Sequence, residues 1–289
     1  MWHRLKIPLI FLAPVVLIGG LYIVGRTIPL PVLGRDYVIH IVLPDPDRPI
    51  GLPPIEGPDD PALPLVVIDA GHGGHDPGAV GAGFREKVLT LGLATALRDE
   101  LLRRGGVRVA LTREDDKFLS LDERVEIARK LGADLLLSIH ADSAGEKDQI
   151  TGASVYTLSR KASSEAAARV AASENSADSV NGVQLAGTSD VVSNILVDLA
   201  QRRTSQESAT FAGLILREGQ GILELNPDPR RSADFVVLRA PDVPSVLYES
   251  GFITNAADAE RLSSPQGQQR FATVMARAIR IYFARRTAA

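Results

Sequence analysis

Four side chains of this 289-residue chain have the types that could hydrolyse a bond at a metal ion. His72 lies in a glycine-rich loop, Glu86 begins an amphipathic segment, and His140 follows a short apolar run. Two imidazoles and one carboxylate form the ligand set of catalytic zinc, which keeps its fourth position open for water. A further carboxylate, Glu249, could accept a proton from that water and pass it to a leaving amine, which is the chemistry of amide hydrolysis.

The same residues have a plainer interpretation as loop and strand-end side chains without a ligand. The two histidines are far apart in the chain, so their spacing does not form a compact metal motif. No HExxH, GxSxG or P-loop pattern occurs, and HExxH is the helical signature of thermolysin-type enzymes. The absence of cysteine excludes thiol catalysis, cysteine-ligated metals and disulfides. A net charge of −3 gives no electrostatic reason to expect a nucleic-acid partner.

The elements that must position the four side chains are short strands followed by turns. Apolar, β-branched runs predict strands at 65–69, 135–139 and 244–252, and helical spacing of apolar residues follows Glu86 as far as a Gly-Gly pair. Glycines in the first loop permit positive φ and a close approach of ligands; they are at 71, 73, 74, 78 and 81. Because parallel strands end at one edge of a sheet, we expect the candidate residues to meet there.

Strands and helices alternate through the rest of the chain. Further strands are predicted at 107–113, 152–159 and 232–239, and amphipathic helices at 121–132 and 263–286. This order predicts an α/β fold with three α/β/α layers, phosphorylase/hydrolase-like, around a mostly parallel twisted sheet. Three helical stretches between two strands make 160–220 a predicted helical insertion that covers or regulates the cleft.

An apolar segment near the N-terminus is long enough to cross a bilayer. Residues 7–25 carry no charge and follow Arg4 and Lys6, which predicts a cytoplasmic amino end. No clear small-x-small cleavage site follows, so we expect an anchor rather than a cleaved signal peptide; both place the remainder outside the cytoplasm. The predicted organisation is an anchor or signal segment at 1–34, a short strand and proline-rich linker at 35–64, and a catalytic domain at 65–289.

Several long motifs resemble one family of enzymes. They are VVIDAGHGGHDPGAVG at 66–81, REK at 85–87, the run from LTREDDK to SIHADS at 111–143, and PSVLYESGFITN at 244–255. In this order they resemble the zinc-dependent N-acetylmuramoyl-L-alanine amidases, which cut peptidoglycan at the glycan–peptide junction. The resemblance implies Zn²⁺ bound by His72, Glu86 and His140, with Glu249 as the catalytic glutamate. It gives no ligand role to His75.

The insertion resembles the form of this family used in Gram-negative cell division, where a helical segment obstructs the zinc cleft until an activator removes it. The segments ASENSADSVNGV at 172–183 and SNILVDLAQRRTSQES at 193–208 carry this resemblance. It implies that a carboxylate fills the open position of zinc, with Glu174 as the candidate and Glu165 in reserve; alternatively, both are solvated helix carboxylates. It further implies a periplasmic enzyme with peptidoglycan as substrate, an activator of the division machinery as partner, and contact with the inner membrane through its N-terminus.

Two other functions remain open at this point. A zinc carboxypeptidase or related amidohydrolase would share the sheet architecture and would leave shortened peptides rather than free L-alanine amines. A catalytically silent wall-binding module would bind peptidoglycan without cutting it. The presence of all four proposed catalytic side chains argues against the silent module.

Overall fold

The computed structural model describes residues 51–145, 147, 149–180, 183–184 and 194–287. The apolar run at 7–25 and the strand predicted within 35–64 lie outside these residues. Within the described ranges, no helix is both long enough and apolar enough to span a bilayer. The proline-rich segment before residue 65 contacts the domain, because Glu56 pairs with Val109 in an antiparallel bridge.

The described chain alternates strands and helices. The strands are β1 (Leu65–Ala70), β2 (Val80–Gly81), β3 (Phe84–Arg85), β4 (Arg108–Leu111), β5 (Leu135–Asp142), β6 (Ala153–Leu158), β7 (Ser179–Val180), β8 (Val183–Gln184), β9 (Leu225–Ala233) and β10 (Ser245–Phe252). The helices are α1 (Glu86–Arg104), α2 (Leu121–Lys130), α3 (Glu165–Asn175), α4 (Asn194–Gly219), α5 (Ala256–Ser263) and α6 (Pro265–Thr287). Two 3₁₀ turns are also present, one after α3 at Ser176–Asp178 and one after β9 at Val236–Leu238.

One sheet carries the fold, with the strand order β4-β1-β5-β10-β6-β9. The first four strands in this order are parallel to one another. Strand β6 runs antiparallel to β10, and β9 runs parallel to β6. The prediction of a mostly parallel α/β sheet is therefore confirmed, with a reversal of direction on one side.

Alternate residues of the central strands pack on opposite faces of the sheet. In β1, Val66 and Ile68 contact the core under α1, α4 and α6, whereas Leu65 and Val67 contact the core on the side of α2. Every residue of β1 is buried, as expected of a strand that helices cover on both faces. The helix α3 lies on the same side as α2 and packs against Tyr156 and other buried residues. These contacts form the three predicted layers.

One element prediction in the C-terminal half differs from the structure, and another is confirmed. The strand predicted at 232–239 is wrong in position along the chain. The strand is β9, which ends at Ala233, and a 3₁₀ turn occupies Val236–Leu238. Two prolines within 225–233 are tolerated because β9 is an edge strand of the sheet. The helix predicted at 263–286 is confirmed as α6, which begins two residues later because Ser264 is extended and Pro265 occupies a first-turn position that proline favours.

The predicted insertion at 160–220 has two parts with different roles. Its last two helical stretches form one continuous helix, α4, and the C-terminal half of α4 places Phe211, Leu214 and Ile215 in the main core against α6. This half is a supporting layer of the domain and not a cover. Among the described residues of this range, α3 is the element that brings a side chain, Glu174, into the cluster of candidate site residues.

Candidate metal centre

His72 is presented by a tight turn immediately after β1. Gly71 donates a backbone hydrogen bond to Ile139 of β5, and His72 itself has a positive φ of 62°. A Cβ at Gly71 would collide with the His140 ring, so glycine is required for the two imidazoles to approach each other. Their ring centroids are 5.0 Å apart.

A carboxylate behind His72 fixes the orientation of its ring. Nδ1 of His72 lies 2.7 Å from Oδ2 of Asp76, whose other oxygen accepts a hydrogen bond from the backbone N–H of Gly78. With Nδ1 engaged, Nε2 is directed towards Glu86, 3.1 Å from its Oε2. A carboxylate that orients a histidine in this way is the usual outer support of a metal-binding imidazole.

Glu86 is the first residue of α1, and its side chain is held from two sides. Oε2 accepts a hydrogen bond from the backbone N–H of Ala79, and Oε1 accepts one from that of Ala141, each at 2.8 Å. Burial alone would raise the pKa of Glu86, but His72 and His140 outweigh burial and lower it. The carboxylate is thus ionised and rigidly placed between the two imidazoles.

His140 lies near the carboxyl end of β5, and Glu174 reaches it from α3. Nδ1 of His140 is 3.1 Å from Oε1 of Glu86 and 2.8 Å from Oε2 of Glu174. The same Glu174 oxygen is 3.2 Å from Nε2 of His72. Burial lowers the pKa of His140, but the two carboxylates outweigh it and raise the pKa to about 10. The negative potential at this point therefore strongly favours a cation.

The four side chains converge on one buried point. One ligand atom from each of His72, Glu86, His140 and Glu174 lies within 4.8 Å of all the others. Zinc–ligand distances of about 2.0–2.1 Å place tetrahedral ligands roughly 3.3 Å apart, close to the 2.8–3.2 Å separations given above. Nε2 of His72 and Oε2 of Glu174 are buried and make no hydrogen bond of good geometry within the described chain, as expected of atoms directed at a common ion. The residues fit a metal.

Glu249 lies beside this cluster on the neighbouring strand. In the β5–β10 ladder it is paired with His140, and its residue is 2% exposed. Neither carboxylate oxygen has a hydrogen-bond partner among the described residues. Burial, reinforced by Asp142 and Glu174, raises the pKa of Glu249 well above its ordinary value. This buried carboxyl group therefore lies next to four side chains that could hold a metal ion.

The sequence that carries these side chains matches the profile of a known protein family. The profile of N-acetylmuramoyl-L-alanine amidase matches residues 66–280, which include all five side chains. The chain belongs to the N-acetylmuramoyl-L-alanine amidase family. Members of this family are cell-wall hydrolases, so this amidase is an enzyme of peptidoglycan cleavage.

Individual relatives and solved structures agree with the family. The amidase AmiA of Escherichia coli K12 is 40% identical over 221 residues, which are 76% of each chain. Among solved structures, AmiC2 of Nostoc punctiforme is 29% identical with a TM-score of 0.54, over 76% of this chain and 97% of that one. The catalytic domain of CwlV from Bacillus (Paenibacillus) polymyxa var. colistinus is 28% identical with the same TM-score, over 77% and 99%.

A cavity of about 470 Å³ opens onto the ligand cluster of the amidase. Asp142 lines it, and burial together with Glu174 raises the pKa of Asp142 to about 7. His75 also lines the cavity, with its ring 4.2 Å from that of Phe118. His75 is not among the four converging side chains.

Two carboxylates of the site, Asp76 and Asp142, were not predicted from the sequence. Two others, Glu174 and Glu165, were predicted as candidate and reserve, and the structure distinguishes them. Asp76 follows His72 by four residues, and a search for a carboxylate supporting each histidine would have found it. Asp142 follows His140 by two residues on the same face of β5. On α3, Glu174 lies in the cluster, whereas Glu165 is exposed at the first turn of the helix.

Proposed function

We propose that this amidase hydrolyses the amide bond between the lactyl group of N-acetylmuramic acid and L-alanine, using Zn²⁺ held by His72, Glu86 and His140. The observation that carries the proposal is the convergence of these buried side chains beside Glu249, whose carboxylate oxygens have no hydrogen-bond partner in the part of the chain that the structure describes. Imidazole and carboxylate ligands suit zinc, and three protein ligands leave room for a fourth ligand.

The chain holds the ligand set ready before any metal arrives. Asp76 engages Nδ1 of His72 and so directs Nε2 towards the other ligands, and backbone amides fix both oxygens of Glu86. His140 is immobilised within a strand whose residues are all buried. Such preorganisation reduces the entropy lost on binding, so we expect tight metal binding.

Bound zinc would lower the pKa of a water molecule to about 7 and would polarise the substrate carbonyl. Glu249 accepts the proton of the attacking water and later donates it to the nitrogen of L-alanine as the amide bond breaks. Its two carboxylate oxygens have no hydrogen-bond partner among the described residues, which leaves them available to accept the proton. Its position next to His140 keeps the proton transfer close to the metal.

Glu174 supplies the regulation that we propose for this enzyme. Its carboxylate lies where a fourth ligand would bind, so a zinc ion with Glu174 in place has no open position for water. Buried alanines and Val170 of α3 pack against Tyr156 and Phe235, which keeps the helix on the cleft. We propose that an activator protein of the division machinery withdraws α3 and with it Glu174.

We further propose that the enzyme works in the periplasm, tethered to the inner membrane through residues 7–25. The support is the uncharged run with basic residues before it, together with a family that acts on the cell wall. Tethering would keep the catalytic domain within reach of peptidoglycan.

The decisive experiment compares the full-length chain with a Glu174→Ala variant on purified peptidoglycan, with and without a chelator. We expect the variant to release glycan strands free of stem peptides, the chelator to abolish release, and the parent chain to release little. A Glu174→Ala, Glu249→Gln double variant should bind one zinc per chain and release nothing. Shortened peptides instead of free L-alanine amines would contradict the amidase bond assignment, and equal activity of parent and variant would contradict the blocking role of Glu174.

A further inference from the structure

Two buried arginines lie directly beneath the turn that presents His72. Arg113, just after β4, is 1% exposed, and Arg124, in α2, is 2% exposed. Arg124 is paired with Asp69 at 2.7 Å and also donates to the carbonyl oxygen of His72. Within the described ranges, Arg113 has no carboxylate at ion-pair distance, and its hydrogen bonds go mainly to backbone carbonyls.

The hydrogen bonds of Arg113 join the two chain segments that carry proposed zinc ligands. Its Nε donates to the carbonyl oxygen of Ala70 at 2.9 Å, and Nη2 donates to that of Gly71 at 2.9 Å. These are the two residues before His72. The same Nη2 donates at 2.8 Å to the carbonyl oxygen of Lys87, the residue after Glu86. The guanidinium of Arg113 thus connects the loop before His72 with the first helical turn of α1.

Thr90 completes this connection from one turn further along α1. Its hydroxyl donates to the carbonyl oxygen of Gly71 at 2.9 Å, and Arg113 donates to the same hydroxyl at 3.2 Å. The turn before His72 is therefore bound to α1 both directly and through the arginine.

Stability alone is a poor reason for a buried cation without an anionic partner. Burial, and then the charge of Arg124, lower the pKa of Arg113 to about 10, which reflects an unfavourable environment for its charge. Buried charges cost several kcal/mol in desolvation, and apolar residues often replace them without loss of stability. The planar fork of donors offers instead a fixed distance between several acceptors, which neither an apolar side chain nor lysine provides.

We propose that Arg113 is a positioning residue that sets the separation of His72 and Glu86 and thereby the affinity of the site for zinc. The inference rests on the proposed function, since it requires those two residues to be zinc ligands. Arg113 is not one of the four converging side chains, and in this proposal it acts through the backbone carbonyls that it binds. Supports of this kind typically contribute 10- to 100-fold to metal affinity.

The test is the substitution Arg113→Lys in the full-length chain, which keeps the charge and removes the fork. The zinc dissociation constant is measured by competition with a chromophoric chelator, and thermal unfolding is measured without metal. We expect zinc binding to weaken about 10- to 100-fold. Ile279→Val, a core change far from the site in sequence and packed under α1, is the control for a general loss of stability. It should lower the unfolding temperature and leave zinc affinity unchanged.

The outcomes separate this inference from the proposed function. A parent chain that binds no zinc would overturn the metal centre and the role of Arg113 together. A parent chain that binds zinc tightly, with an Arg113→Lys variant of equal affinity, would overturn only the role of Arg113. If Arg113→Lys does not fold, Thr90→Val removes the hydroxyl between Arg113 and Gly71 with little change of volume. It should weaken zinc binding to a smaller degree, and an unchanged dissociation constant would overturn the inference.

Discussion

A side chain next to Glu174, outside the group of four converging side chains, connects the end of α3 to the rest of the domain. Asn175 is the last residue of α3, and its side chain forms hydrogen bonds at the start of the 3₁₀ turn Val236–Leu238. Its Nδ2 donates to the carbonyl oxygen of Asp234 at 2.7 Å, and its Oδ1 accepts from the backbone N–H of Val236 at 2.9 Å. We predict that Asn175→Ala releases the helix and activates the enzyme without altering the zinc ligands.

The magnitude follows from these two hydrogen bonds. Each contributes about 0.5–1.5 kcal/mol net, so their loss should make docking about 1–3 kcal/mol less favourable. A change of this size shifts a two-state equilibrium about 5- to 150-fold. Because only the undocked form has an open zinc position in this scheme, the rate should rise by the same factor until most molecules are undocked.

The assay is the initial rate of stem-peptide release from purified peptidoglycan at saturating zinc. Glu174→Ala sets the upper limit, and Arg169→Ala, a change on the exposed side of α3, is the matched control that should leave the rate unchanged. Asn175→Ala should fall between the control and the upper limit. A rate equal to that of the parent chain, while Glu174→Ala is active, would refute the latch. A rise in Arg169→Ala equal to that in Asn175→Ala would show that any change in α3 activates.

Two further predictions concern the supports of the site. Asp76→Ala should weaken zinc binding about 10- to 100-fold, because His72 loses the carboxylate at its Nδ1; chelator competition measures this, with exposed Asp99→Ala as the control. Burial alone would raise the pKa of Asp69, but Arg124 and two hydroxyls outweigh burial and lower the pKa. The ionised carboxylate therefore stabilises the fold fully at pH values above its ordinary pKa. This contribution disappears as the pH falls through the lowered pKa. Asp69→Asn should therefore lose about 3–5 kcal/mol at pH 7 in urea unfolding, and a deficit that does not shrink in acid would contradict the assignment.

The central part of the fold was accessible from the sequence because its signals are local and strong. The run before His72 is apolar except for Asp69 and leads into a glycine-rich loop, and a strand buried on both faces favours this pattern. Ser120 and Glu123 form a reciprocal capping box at the start of α2, which the predicted helix at 121–132 closely matches. The structure then brings His72, Glu86 and His140 together, although the spacing of the histidines alone did not decide between a metal site and unrelated loops.

The C-terminal strand order was not accessible by the same reasoning. The apolar run Phe235–Leu238 has the composition of a strand, but tertiary packing makes it a 3₁₀ turn whose buried residues contact α3. The strand β9 contains two prolines and two adjacent arginines, which local patterns assign to a loop. Only its position at the edge of the sheet, a long-range property, makes this composition acceptable.

Glu165 and Glu174 were both candidates from the sequence, and the structure distinguishes them. Both are glutamates of one helix, and charge or propensity does not separate them. Position along α3 does: Glu165 is in the first turn, where its charge favours the helix dipole, and Glu174 is nine residues further, in the last turn, where a negative charge is unfavourable. A carboxylate at the end of the helix that the dipole disfavours, and buried as well, needs a compensating cation. The imidazoles of His72 and His140, and in our proposal the zinc between them, supply that compensation, so the position of Glu174 depends on its contacts with the cluster and not on the dipole of its helix.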